Sequence, residues 1–175
     1  MALTGYTKVC GFQSGGGKKV WLIEPADLTS FTKTLEAYTA VTVAAQKVFK
    51  KYEFDNDSCE LKEDVSIENN CLKVVHGLVF YLAKLGATAR AAVSEIALAS
   101  SCGLIAVVED NNGTRWVLGY SENHLKVRPL MLKTAAGTTG KKLNDANGYT
   151  VALENENNEM MRLYSGTVPV TDGTE

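Results

Sequence analysis

The sequence predicts a mainly-β fold, a β-sandwich or partly closed barrel with one flanking α-helix at about residues 86–101. Three observations lead there. Apolar and polar residues alternate along much of the chain, which uses many Val, Thr, Tyr and Phe. Asn- and Gly-bearing turns separate those runs, the clearest being Asp110-Asn111-Asn112-Gly113. The segment 86–101 alone switches from a period of two to spacings of three and four.

The elements follow in order. Residues 1–18 form a flexible N-terminal arm ending in Ser14-Gly15-Gly16-Gly17 and entering the first strand, Lys19 to Glu24. Pro25 stops that strand because it has no N–H to donate. Residues 25–45 are rich in Thr and Ala and read as an excursion loop or as a loosely patterned pair of short strands. A loop of that length in a compact domain usually serves function or contact. Residues 46–54 place Val48, Tyr52 and Phe54 on one face and Lys47 and Glu53 on the other. Residues 59–68 turn Leu61, Val65 and Ile67 inward with charges between them, and Asn69-Asn70 turns the chain into 72–83. That last run is the most apolar, so a central place is expected for it. Two strands of about ten residues would each be ~33 Å long, beyond the usual strand.

In the helical segment Ala89, Ala92, Val93, Ile96 and Ala99 make the apolar stripe, mostly alanine and suited to close approach to a sheet. Thr88 is the candidate N-cap, and Gly103 stands where a left-handed C-terminal glycine belongs. Residues 104–109 and 114–120 flank the Asp-Asn-Asn-Gly turn. Further strands are expected at 127–133 and 149–154, with 160–164 closing a last hairpin. The division is therefore an arm 1–18, one β-rich domain 19–164 with the excursion loop 25–45, and a polar tail 165–175.

Bulk properties bound the function. The chain has 175 residues, 45% hydrophobic and 22% charged, ordinary values for one globular domain. Its net charge of −2 gives no basic footprint for general nucleic-acid binding. The N-terminus lacks the pattern of a signal peptide, and no apolar run approaches the roughly 20 residues needed to span a bilayer. Synthesis in a reducing cytoplasm is expected. Cys10, Cys59, Cys71 and Cys102 are scattered without a C-x-x-C pair, and read as free, mostly buried thiols.

Candidate chemistry is sparse. Ala135-Ala136-Gly137-Thr138-Thr139-Gly140-Lys141-Lys142 resembles a phosphate loop, yet Lys142 occupies the place of the Mg²⁺-binding hydroxyl. The turns at Asp55, Asp110 and Asp145 lack the alternating oxygen ligands of a calcium loop and fit turn chemistry. Cys71 and His76 are five residues apart, on opposite faces of a regular strand, so no Cys–His pair forms. His76 reads as a core or edge histidine, and Trp21, Trp116 and Tyr120 as core rather than as a stacking platform. No catalytic, cofactor-binding or metal-binding residue is assigned, and no enzyme is expected. A monomeric ligand-binding sandwich would want aromatics converging on a loop end, which the strand positions of Trp21, Trp116 and Tyr120 do not provide.

The order of elements over about residues 19–164, with Cys102-Gly103-Leu104, Asp110 to Trp116 and Gly140 to Tyr149, resembles bacteriophage tail-tube and related virion ring proteins. The resemblance implies a virion structural protein with no catalytic residues. It implies a homo-oligomeric ring, often a hexamer, stacked into a tube through which DNA passes non-specifically. It also implies contacts with neighbouring head or tail proteins, the N-terminal arm and the excursion bridging to the next ring. An auxiliary capsid protein or head–tail connector is the alternative within the assembly class.

Overall fold

The computed structural model describes residues 5–6, 10, 12–55, 57–170 and 173–174, the last pair by backbone alone. The described residues form two main sheets and one helix, the mainly-β fold expected. The strands are β1 (Gly17–Ile23), β2 (Leu28–Thr34), β3 (Ala37–Val43), β4 (Lys50–Glu53), β5 (Cys59–Glu68) and β6 (Cys71–Ala83). The helix α1 (Ala87–Ala99) follows. Then come β7 (Ile105–Asp110), β8 (Arg115–Leu118), β9 (Met131–Thr138), β10 (Gly148–Asn157), β11 (Arg162–Tyr164), β12 (Pro169–Val170) and β13 (Gly173–Thr174). A seven-stranded sheet runs β2-β3-β11-β8-β7-β1-β4, a four-stranded sheet β5-β6-β10-β9, and β12 pairs with β13.

Alternation within β1 and β7 divides the core in two. Val20 and Leu22 of β1, with Ala106 and Val108 of β7, face the four-stranded sheet and meet Leu78, Phe80, Val151 and Leu153. Trp21 and Ile23, with Ile105 and Val107, point to the opposite face. There they join Leu28 and Phe31 of β2, Tyr38 of β3 and Tyr164 of β11. Strands near opposite edges of one sheet share that second cluster, so the sheet curls over its own face. It stays open, since β2 and β4 do not pair.

The segment 25–45 is a hairpin, the second of its two readings, and not an excursion loop. Bulges between Leu28 and Ser30 and between Thr32 and Lys33 break the alternation, so its inward residues Leu28, Phe31 and Tyr38 leave no clean period. Other expectations change as well. The strand expected over 46–54 is confined to β4, preceded by Gln46 at φ 63°. The strand expected at 127–133 begins at Met131, because a Ser121–Leu125 bridge and Pro129 occupy the approach. β11 does not close a hairpin with β10 but crosses to the other sheet, antiparallel to β8 and parallel to β3. The tail is not unpaired either. Val168 is buried, and the Phe49 amide donates to the Pro169 carbonyl at 2.9 Å.

The helix keeps the predicted stripe, with Ile96 buried and Ala89, Ala92, Val93 and Ala99 half-buried. Thr88 lies inside it, and the N-cap is Gly86, which offers no side-chain bond. Thirteen residues without a side-chain cap make a marginal helix, so packing against β9 and β10 holds it. The C-cap is Ser100, so Gly103 is not the helix's capping glycine but closes the turn after it; its φ is +86°, and a Cβ there would lie 2.1 Å from Pro129, so both conformation and space require glycine. β6 lies inside its sheet as expected, but its outer face is only half-buried; the strands covered on both faces are β1 and β7.

The burial pattern predicts the cost of truncation. Trp21→Ala and Phe80→Ala should each lose about 3–5 kcal/mol in urea unfolding of the monomer. Ile67→Ala, at a side chain 76% exposed, should change stability by less than about 0.5 kcal/mol.

Candidate assembly surface

β5 and β6 pair along the whole length of the ten-residue β5, from Cys59 opposite Phe80 to Glu68 opposite Cys71. β10 supports β6 only as far as Val74, opposite Asn157. The last part of the hairpin is therefore a two-stranded overhang beyond the sandwich. Its residues keep the inward face of the hairpin but have no sheet beneath them. Cys59 and Leu61 reach the core, whereas Val65, Ile67 and Leu72 are 50%, 76% and 45% exposed. Val65 and Ile67, expected inward, thus lie uncovered. The alternation of β5 was legible; the distance at which its support ends was not, because that depends on where β10 stops.

Between the apolar core and this overhang lies a polar layer. Glu63 stands opposite His76 in the β5–β6 register, and Asn155 stands opposite His76 in the β6–β10 register. His76 Nε2 is 3.1 Å from the Glu159 carbonyl oxygen and 3.4 Å from Glu63 Oε1. Glu63 Oε1 also accepts the Met161 amide. Asn155 Nδ2 donates to the Arg128 carbonyl at 2.8 Å. The Glu159 carboxylate accepts the amides of Glu122 and Asn123 at 2.9 and 2.6 Å. Arg162 joins Glu36, at 2.7 Å, to Glu122, at 3.1 Å, tying the β2–β3 turn to the loop after β8. These bonds fix the root of the overhang while its tip stays uncovered.

Among the described residues the four-stranded sheet ends in β5 and β9 and the seven-stranded sheet in β2 and β4, with the approach to β4 bridged through Phe49 to Val170. β5 carries Glu60, Glu63, Asp64 and Glu68 against Lys62, whereas Lys133 is the sole charge on β9, and Lys141 and Lys142 follow it. The edges of this sheet are therefore of opposite sign.

The residues singled out from sequence fall as follows. In the phosphate-loop candidate, Ala135 to Thr138 belong to β9, and the amides of Lys141 and Lys142 both donate to Asp145 Oδ2 at 2.8 Å. Those hydrogen bonds hold the Asp145 carboxyl below its usual range, and the amides are not directed at a phosphate. Asp110 Oδ1 accepts the amides of Asn112 and Thr114, the turn chemistry expected. Asp55 lies beside residue 56, which is outside the described residues. Cys71 is exposed and His76 buried, on opposite faces of β6. Trp21 and Tyr120 are in the core, and Trp116 packs half-buried against it. All four thiols are free, but only Cys59 is buried, and burial pushes it up to about 12; Cys10, Cys71 and Cys102 are exposed. The expected flexibility of the arm falls partly on residues 1–4, 7–9 and 11, outside the described residues. Its last part is bound: Asn112 accepts the Ser14 amide at 2.9 Å and donates to the Ser14 carbonyl at 2.8 Å. No helix is long and apolar enough to cross a membrane among the described residues.

Burial lowers the His76 pKa below its ordinary 6.5, with Glu63 partly opposing the shift. The native state therefore favours neutral histidine, and the unfolded chain takes up the proton first as pH falls. Stability should fall as pH drops below about 6.5 and level off below the folded pKa. His76→Gln should remove that slope in urea midpoints measured between pH 7.5 and 5; an unchanged slope would assign it elsewhere.

No protein-family model matches the chain, and no curated protein or solved structure is detectably similar to it.

Proposed function

We propose that this chain is a phage virion structural protein, a tail-tube or tail-ring subunit that assembles side by side into a ring and stacks into a conduit for DNA. The observation that carries this reading is the β5–β6 overhang, which holds Val65, Ile67 and Leu72 in the open beside an unpaired sheet edge. Covering such a side chain fully contributes about 1.5–3 kcal/mol. A neighbouring copy covers the overhang and sets its β9 edge beside β5, continuing the four-stranded sheet across the boundary. The contact is heterologous, so a fixed rotation from copy to copy closes a ring. With a net charge of −2, such a conduit does not grip phosphate through a strong basic patch. An auxiliary capsid protein or connector would use the same surfaces, and the shape of the particle separates these readings.

The test is negative-stain electron microscopy across a concentration series, with mass from light scattering. Rings or stacked tubes are expected, and their symmetry gives the copy number. Ile67→Asp should leave the monomer folded and reduce assembly at least tenfold. A parent chain that stays monomeric at the highest concentration, or assembly untouched by Ile67→Asp, contradicts the proposal.

A further inference from the structure

A groove of about 350 Å³ runs between α1 and β4, floored by Leu22, Ile96, Ala99 and Leu104. Leu98, 74% exposed, stands at its lip. Glu24, Asp27 and Glu95 line it against one cation, Lys50, and Asp27 is bonded to Lys47 at 3.1 Å. Glu24 and Glu95 have no ion-pair partner among the described residues. One wall is β4, an edge strand of the seven-stranded sheet whose approach is bridged through Phe49 to Val170. The groove therefore suits an extended segment that buries apolar side chains and brings positive charge.

This chain contains such a segment. Residues 1–13 carry Lys8, no carboxylate, and Leu3, Tyr6, Val9 and Phe12. Tyr6 and Phe12 are 88% and 108% exposed, with no covering surface among the described residues. The segment departs from a fixed point. Asn112 holds both backbone groups of Ser14, and Asn111 Nδ2 donates to the Gly15 carbonyl at 2.6 Å. That clasp is at the Gly17 end of β1, whereas the groove is at the Leu22 end. About 20 Å of strand separates the two.

We propose that the groove between α1 and β4 receives residues 1–13 of a second copy, the arm of one subunit entering the groove of the next in a head-to-tail stack. The inference rests on the stacking in the proposed function and names the contact that performs it. Arm and groove lie at opposite ends of one strand, so each subunit both gives and receives, and the contact repeats.

Cys10 is exposed on the arm and supplies the probe. In the full chain carrying Leu98→Cys, diamide oxidation takes two electrons and two protons from the thiol pair and forms a disulfide. A ladder of cross-linked multimers on a non-reducing gel is expected, lost with Cys10→Ser. Glu95→Cys serves as a second position. Cross-linking within one chain, or none beyond that of the parent with Cys71 and Cys102, overturns the proposal. Lys8→Glu and Glu95→Lys should each weaken stacking by light scattering, and the double exchange should restore it. Rings without the ladder refute the arm contact and leave the ring reading standing; the ladder without rings supports the contact and removes the ring.

Discussion

The antiparallel pairing of β1 with β7 organises both halves of the core. Both strands are covered on both faces, and their alternation feeds two cores at once. Shifting their register by one residue would send Trp21 toward the four-stranded sheet and Val20 toward the aromatic cluster. Neither core accommodates that exchange. One is built from Leu, Val and Ala facing Phe80, the other from Phe31, Tyr38, Tyr120 and Tyr164 packed ring against ring. The aromatic cluster in turn draws β2, β3 and β11 over the outer face of the sheet.

From that centre the structure becomes less supported outward along β5 and β6. The inward face of this hairpin passes from Phe80 and Leu78 through the polar layer of His76 and Glu63 to Val65, Ile67 and Leu72. The polar layer separates the buried apolar surface, which stabilises the monomer, from the exposed apolar surface, which does not. In the proposed assembly a hairpin firmly fixed at its root and bare at its tip is the contact surface, and two edges of unlike charge on the same sheet give that contact a direction.

Much of this was legible in the sequence. Asp110 to Gly113 specified its hairpin because side-chain and backbone chemistry agree locally. The stripe from Ala89 to Ala99 located the helix, and the alternation of 59–68 located β5 with the same bounds. What escaped was set by distant partners. The bulges that blur 28–34 answer to β3 across the ladder. The destination of β11 is fixed by β8 and by Arg162 meeting Glu36 and Glu122. The exposure of Val65 and Ile67 follows from the length of β10, not from any property of β5. The polar layer left no mark, since Glu63, His76 and Asn155 are isolated residues in sequence and meet only through register.

In the proposed assembly the four-stranded sheet continues from one copy to the next, and hydrogen exchange of the assembled particle against the dilute monomer tests that continuity. Amides of β5 and β9 should become protected on assembly, while those of β1 and β7 are protected in both. Particles in which the β5 and β9 amides exchange as fast as in the monomer would contradict it.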